Sequence, residues 1–243
     1  MKSESSTSTT PARRSISDGV VHLWVVPLDQ VTDKVARATL TRAERARAVR
    51  LLRSVDRNRF IVARIMLRKI LSEYLGSPPA EIRFVTGPHG KPAIDPSQTT
   101  DLFFNISHSG DLALIGISRF ELGVDLEQIR AEVDCSGISE RFYSPSEKMY
   151  LNHLAGDHQR NSFFSIWAAK EAYCKARGMG LHLPTDVYTV LLSDEPPWSV
   201  DDATVPPSER PSVYPLIVAP GFAAAFASVA PVTRFQMMKF PSE

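Results

Sequence analysis

The segment Gly123, Val124, Asp125, Leu126, Glu127 narrows the folds open to this chain more than any other. From Leu122 to Leu126, small or apolar residues alternate with acids just after a turn-like Arg119, Phe120, Glu121, so the spacing predicts a short strand. On a strand, residues i and i+2 share a face, their Cα atoms about 6.6 Å apart from two rises of about 3.3 Å. Asp125 and Glu127 therefore point the same way. Like charges so placed destabilise a strand unless solvent or a cation takes up their field. A solvated strand end is one solution. A hard cation such as Mg²⁺, which takes one or two carboxylates with phosphate oxygens and waters, is the other.

Choosing between them requires a partner for the strand, and the run from Trp167 to Lys175, WAAKEAYCK, is the candidate. A helix is predicted from about Asn161 to Arg177, stopping at Gly178 and Gly180. Phe163 and Trp167 stand at i and i+4, with Lys170 and Cys174 continuing that side, and Glu171 and Lys175 form a second i, i+4 pair on a neighbouring stripe. Such a pair stabilises an isolated helix by only about 0.2 to 0.5 kcal/mol. If the helix faces the strand, however, Glu171 completes an oxygen site with Asp125 and Glu127, and Lys175 holds a phosphate beside it.

At 243 residues the chain buries a sizeable core as one large domain or two modest halves. A net charge of only +1 supplies no global field for nucleic acid, but residues 34–73 hold twelve Lys or Arg against three acids. That surplus repels itself unless something anionic docks there. Cys135 and Cys174 form no C-x-x-C pair, which fits a reducing compartment, and the protein is expected in the cytoplasm. Residues 1–18 are rich in Ser and Thr without an apolar run and read as a disordered leader. No apolar run has the length of a membrane span, and Phe222 to Val232 is short and broken by Pro231.

In chain order, a strand begins at Val20 and ends at Pro27. Thr41 to Glu44 has capping-box spacing, and a second helix carries Phe60, Ala63, Leu67, Ile70 and Tyr74 to Gly76. Strands follow at Ile82 to Val85, Leu102 to Ser107 and Leu112 to Ser118, the last two joined by a turn at Ser109, Gly110, Asp111. The second half repeats this order. Leu122 to Leu126 is a strand, Ser144 to Glu147 is another capping box, the Glu171 helix comes next, and strands lie at Val187 to Leu192, Val213 to Val218 and Phe222 to Ser228. The Pro-rich stretch from Glu195 to Pro211 reads as a surface excursion. The expectation is an α+β protein of two similar subdomains, 19–119 and 120–243, sharing a cleft.

A second cluster, Phe104, Asn105, Ile106, Ser107, His108, Ser109, presents an amide, two hydroxyls and an imidazole at a strand end. It suits phosphate or nucleotide contacts better than nucleophilic catalysis: no G-x-S-x-G elbow surrounds either serine, and Ser107 and His108, as strand neighbours, face opposite ways. A turn histidine is the structural alternative for His108.

Taken in order, DRNRF, HGKPAI, FNISHS, GVDLE and WAAKEAYCK followed by GLHLP resemble the Sfp-type 4′-phosphopantetheinyl transferases, from about Asp56 to Ser193. The resemblance implies two α+β halves as an intramolecular pseudodimer in a monomeric enzyme, with the active site in the cleft between them. It implies transfer of 4′-phosphopantetheine from coenzyme A to a serine of an apo acyl or peptidyl carrier protein. By that similarity Asp125, Glu127 and Glu171 are Mg²⁺ ligands, Glu171 is also the general base, and Lys175 lies near the pyrophosphate. His108, with Ser107 and Asn105, matches the group contacting coenzyme A phosphates, Arg59 matches an arginine for the 3′-phosphate, and Gly90, Lys91 and Pro92 match the loop at the adenine end. Without the resemblance, two other readings stand. One is a Mg²⁺-dependent hydrolase of a nucleotide pyrophosphate using the same acids, and the other is a nucleic-acid-binding module built on the basic helices.

Overall fold

The computed structural model describes residues 13–28, 33–98, 100–179 and 183–239 of the chain. It divides into two compact units, residues 1–15 with 30–83 and residues 16–29 with 84–243. Residues 1–12 of the expected leader lie outside the described residues. Within the rest of that segment, Arg14 pairs with Glu73 at 2.6 Å and Ile16 is buried.

The first unit is helical: α1 (Asp33–Thr39), α2 (Arg42–Val49) and α3 (Ser54–Leu75). The Thr41 capping box forms, with Glu44 Oε2 accepting the Thr41 N–H at 2.9 Å while the Thr41 hydroxyl accepts the Glu44 N–H. The same carboxylate receives Arg68 of α3, which is 1% exposed, at 3.0 Å from both Nε and Nη2. Arg68 Nη1 donates to the carbonyls of Pro79 and Ile82 at 2.8 Å each, so a buried guanidinium has every donor engaged. Arg64 lies 3.4 Å from Glu44, and Arg45 donates to the Leu40 carbonyl. Part of the basic surplus is thus used inside the unit. Gly76, at φ +69°, ends α3 where the sequence places the stop.

The second unit carries all the strands: β1 (Val20–Pro27), β2 (Phe84–Thr86), β3 (Pro92–Ile94), β4 (Phe103–Ser109), β5 (Leu112–Ser118) and β6 (Leu122–Gln128). Then come α4 (Cys135–Phe142), α5 (Pro145–Asn152), α6 (Gly156–Ala176), β7 (Tyr188–Leu191), β8 (Ser199–Asp202), β9 (Ser212–Leu216), β10 (Phe222–Ser228) and β11 (Arg234–Lys239). One sheet runs β11-β1-β5-β4, another β6-β10-β9, and β2-β3 and β7-β8 are separate two-stranded ladders.

The repeat expected from element order is present in the topology. In the first half the opening strand β1 pairs antiparallel with β5, with β4 beyond it, and in the second half β6 pairs antiparallel with β10, with β9 beyond it, giving β1-β5-β4 and β6-β10-β9 with β11 as an addition to the first sheet. The capping boxes repeat too. Glu147, the third helical residue after Ser144, binds Lys170 of α6 through both oxygens at 2.8 and 2.6 Å, as Glu44 binds Arg68 of α3. Both side chains of the Glu147–Lys170 pair are 2% exposed. Tyr188 O and the Ser144 and Val190 N–H groups complete their hydrogen bonds. The fold is α+β, an intramolecular pseudodimer.

Five elements were not legible beforehand. β3 lies in a stretch read as a loop. β11 pairs in parallel with β1, a contact more than two hundred residues apart that no local pattern announces. β8 falls within the Pro-rich excursion. α4 is capped by Asp134, which accepts the Gly137 N–H, but without Glu or Gln at the third helical position it lacks the box signature. α1 lies where no segment was assigned.

Two apolar clusters flank β6 and β10. Leu122, Val124, Leu126 and Phe226 pack with Val21, Leu23 and Leu114, whereas Ala223, Ala225 and Ala227 pack under Phe163, Ile166, Ala172 and Tyr173 of α6. Period-two alternation therefore leaves Gly123, Asp125 and Glu127 on the α6 side of β6.

Candidate active site

Gly123 sets the depth of α6. A Cβ there would stand 2.1 Å from the Ala172 carbonyl oxygen and 2.4 Å from the Ala176 nitrogen, so helix backbone rests directly on strand backbone. Glu171 and Lys175, one turn apart on α6, are thereby carried to the face of β6 that presents Asp125. The chain folds back as the carboxylate hypothesis required.

β4 lies along the other edge of β6, joined to it by side chains. Asn105 Oδ1 accepts the Val124 N–H at 2.8 Å. Ser107 Oγ donates to Asp125 Oδ1 at 2.7 Å, and Ser109 Oγ donates to Glu127 Oε2 at 3.0 Å while accepting the Gln128 N–H at 3.1 Å. These three residues, at i, i+2 and i+4, make a polar seam between the two sheets, and His108 points away to an exposed position. Lys175 Nζ closes the seam, 2.5 Å from Asp125 Oδ1 and 3.1 Å from Ser107 Oγ.

The acids are crowded. Asp125 is 2% exposed, and its Oδ2 has no hydrogen-bond partner among the described residues. Burial, and then the Asp125 charge, push the Glu127 carboxyl above its ordinary value. Burial also raises Glu171; Lys175 opposes this and Asp125 reinforces it. Both shifts come first from burial, which disfavours a charged carboxylate, and the neighbouring Asp125 charge adds to each.

A cavity of about 270 Å³ is lined by Gly90, Lys91, Pro92 and Asn105 on one side and Glu171 and Lys175 on the other. Lys91 Nζ is anchored to Glu121 at 2.5 Å and to the Leu122 carbonyl at 3.0 Å, tying the loop to the start of β6. A second cavity of about 340 Å³ shares this loop with Ile94, Phe103 and Phe104. Cys174 is packed, with Sγ 3.0 Å from the Tyr188 hydroxyl and its thiol pushed up to about 11 by burial. Arg59 is carried by α3 in the first unit. Gly180, Leu181 and His182 of GLHLP lie outside the described residues.

A family model described as the 4′-phosphopantetheinyl transferase superfamily matches residues 121–225, and one described as 4′-phosphopantetheinyl transferase, N-terminal, matches residues 27–119. The 4′-phosphopantetheinyl transferase HetI of Nostoc sp. is 36% identical over 190 residues, 76% of this chain and 80% of its own. The chain belongs to the 4′-phosphopantetheinyl transferase superfamily. The 4′-phosphopantetheinyl transferase Sfp of Bacillus subtilis is 28% identical over 206 residues, 84% of this chain and 89% of its own. A holo-(acyl-carrier-protein) synthase from Bacillus anthracis, solved in complex with CoA (3′,5′-ADP), aligns at 25% identity with a TM-score of 0.37, over 44% of this chain and 92% of its own.

In this transferase the donor set fits a hard dication: three carboxylates, two with raised affinity for protons, and one buried oxygen without a partner. Among the described residues no group of three His, Cys, Asp or Glu side chains stands close enough together to hold a metal ion as placed, and Lys175 Nζ lies 2.5 Å from Asp125 Oδ1. Ser109 belongs to the second cluster of the sequence, but its bond to Glu127 and the Lys175–Asp125 pair escaped the sequence reading. The period of two from Asn105 through Ser107 points to Ser109, but an ion pair spanning fifty residues leaves no local trace.

Proposed function

We infer that this transferase moves 4′-phosphopantetheine from coenzyme A to a serine of an apo acyl or peptidyl carrier protein, releasing adenosine 3′,5′-bisphosphate. The observation that carries the reading is the buried Asp125, whose Oδ2 has no hydrogen-bond partner among the described residues and whose Oδ1 pairs with Lys175, a residue that lines a cavity together with Glu171. Asp125, Glu127 and Glu171 would hold Mg²⁺, which when bound offsets the charge of the pyrophosphate and its leaving group.

The chain's own groups account for the rest. Gly90, Lys91 and Pro92, which line the cavity, would hold the adenine end of coenzyme A. Lys175 and Ser107, with Asn105, orient the phosphates, and His108, exposed on the other face of the strand end, would meet them from outside the seam. Glu171 accepts the hydroxyl proton of the incoming serine as its oxygen attacks the phosphorus bearing pantetheine and the pyrophosphate bond breaks. Burial raises the basicity of Glu171, which favours that role. Cys135 and Cys174 are both free thiols, in keeping with a reducing cytoplasm. Among the described residues no helix is long and apolar enough to cross a membrane. The pseudodimer supplies both sheets of the seam from one chain, which supports action as a monomer.

Incubation with coenzyme A and Mg²⁺, with and without an apo carrier protein, tests the reading. Transfer adds about 340 Da to the carrier serine, the composition of the phosphopantetheinyl group. Bisphosphate release without a carrier would instead identify a hydrolase.

A further inference from the structure

We propose that the apolar cavity walled by Phe142, Trp167 and Leu183 takes the thiol end of the coenzyme A donor with any acyl group it carries, so that these walls set which acyl thioesters the transferase accepts. This rests on the transferase reading given above. The cavity measures about 270 Å³ and shares Glu171 and Cys174 with the cavity lined by Gly90, Lys91, Pro92 and Lys175. The two therefore meet at one turn of α6 and follow one another along it: Lys175 lines the first alone, Glu171 and Cys174 line both, and Trp167 lines the second alone. Eight residues separate Trp167 from Lys175, about 12 Å of helix at a rise of about 1.5 Å. The donor is built in the same order, from nucleotide through pyrophosphate to pantetheine and thiol. With its nucleotide at the Gly90 loop and its phosphates at Lys175, the remaining end runs past Glu171 toward Trp167. The walls there are fixed. Trp167 meets Phe142 edge-on at 5.7 Å between ring centroids and stacks with Phe163 and Tyr143 at 6.2 and 6.3 Å. The Thr185 hydroxyl donates to the Phe142 carbonyl at 2.8 Å, and Leu183 is buried. The cavity is smaller than the roughly 300 to 1,000 Å³ typical of sites for drug-sized ligands, so the pantetheine end fills it and a long acyl chain does not fit. The reaction itself is the same for every donor: the serine oxygen bonds to phosphorus, the pyrophosphate bond breaks, and the thioester passes intact to the carrier.

Two donors test the pocket. An apo carrier protein is incubated with Mg²⁺ and either coenzyme A or octanoyl-coenzyme A, and the mass of the carrier product reports which group was moved. Wild type should use the octanoyl donor with a kcat/KM at least about 100-fold below that for coenzyme A, since a single methylene too many in an apolar pocket costs roughly 10 to 200-fold. Leu183→Ala should raise the ratio of octanoyl to coenzyme A use by at least about tenfold. Phe142→Leu, at a half-buried wall, is expected to raise it too and keeps the test open should Leu183→Ala fail to fold. Leu191→Ala removes an exposed side chain that lines neither cavity, and its ratio should stay within about threefold of wild type. A wild-type ratio near one overturns the proposal, because the acyl end then lies in solvent. An unchanged ratio in the folded wall variants overturns it as well, and so does an equal rise in Leu191→Ala. All of these leave transfer from coenzyme A intact. Absence of that transfer in wild type would instead remove the transferase reading, and the pocket with it.

Discussion

A side-chain carbon on Gly123 would stand 2.1 Å from the Ala172 carbonyl, which makes the strand bearing Asp125 and the helix bearing Glu171 a single backbone-to-backbone contact. Displacing that contact by even a methyl group moves the carboxylates apart. Gly123→Ala is therefore expected to cost about 1 to 3 kcal/mol by overpacking and to reduce transfer more than stability. Urea denaturation alongside a carrier-modification assay reads both, and normal activity in a destabilised variant would show that the site does not depend on this approach.

The Glu147–Lys170 pair sits one residue from Glu171 and is 2% exposed on both sides. Lys170→Met should destabilise by about 3 to 5 kcal/mol, because it strands a buried carboxylate; replacing both partners with apolar residues should recover part of the loss. Chemical denaturation of the single and double variants measures the recovery. A double variant as unstable as the sum of its singles would rule out charge stranding as the cause.

The crowded acids give the metal-free enzyme a pH signature. Glu127 and Glu171 are raised above their ordinary 4.5, so the folded state holds their protons more tightly than the unfolded state. Their contribution to stability is complete below about pH 4.5, the unfolded value, and is lost as pH rises through the folded values. Melting temperature without Mg²⁺ should decline from that pH toward neutrality, less so with Mg²⁺ present, and Glu127→Gln should shallow the decline. An identical slope in all three cases would contradict the assignment.

Much of this was readable from residues alone because the decisive signals are local. The alternation around Asp125 and Glu127 matches β6, and Thr41–Glu44 and Ser144–Glu147 are capping boxes in the structure. The Gly76 stop and the Gly110 turn fall where a positive φ is required. The unread parts are long-range: β11 beside β1, Ser109 on Glu127, and above all Lys175 on Asp125. Side-chain pairings of this kind depend on which elements meet, which periodicity and capping do not encode.

The account stands on the carboxylates acting together on coenzyme A. The most direct test is the mass of an apo carrier protein after incubation with coenzyme A, Mg²⁺ and wild type, Asp125→Ala or Glu171→Ala, each variant first checked for an unchanged circular dichroism spectrum. Wild type should add about 340 Da to the carrier, and both variants should transfer at least about 100-fold more slowly. Near-normal transfer by either folded variant would contradict the site.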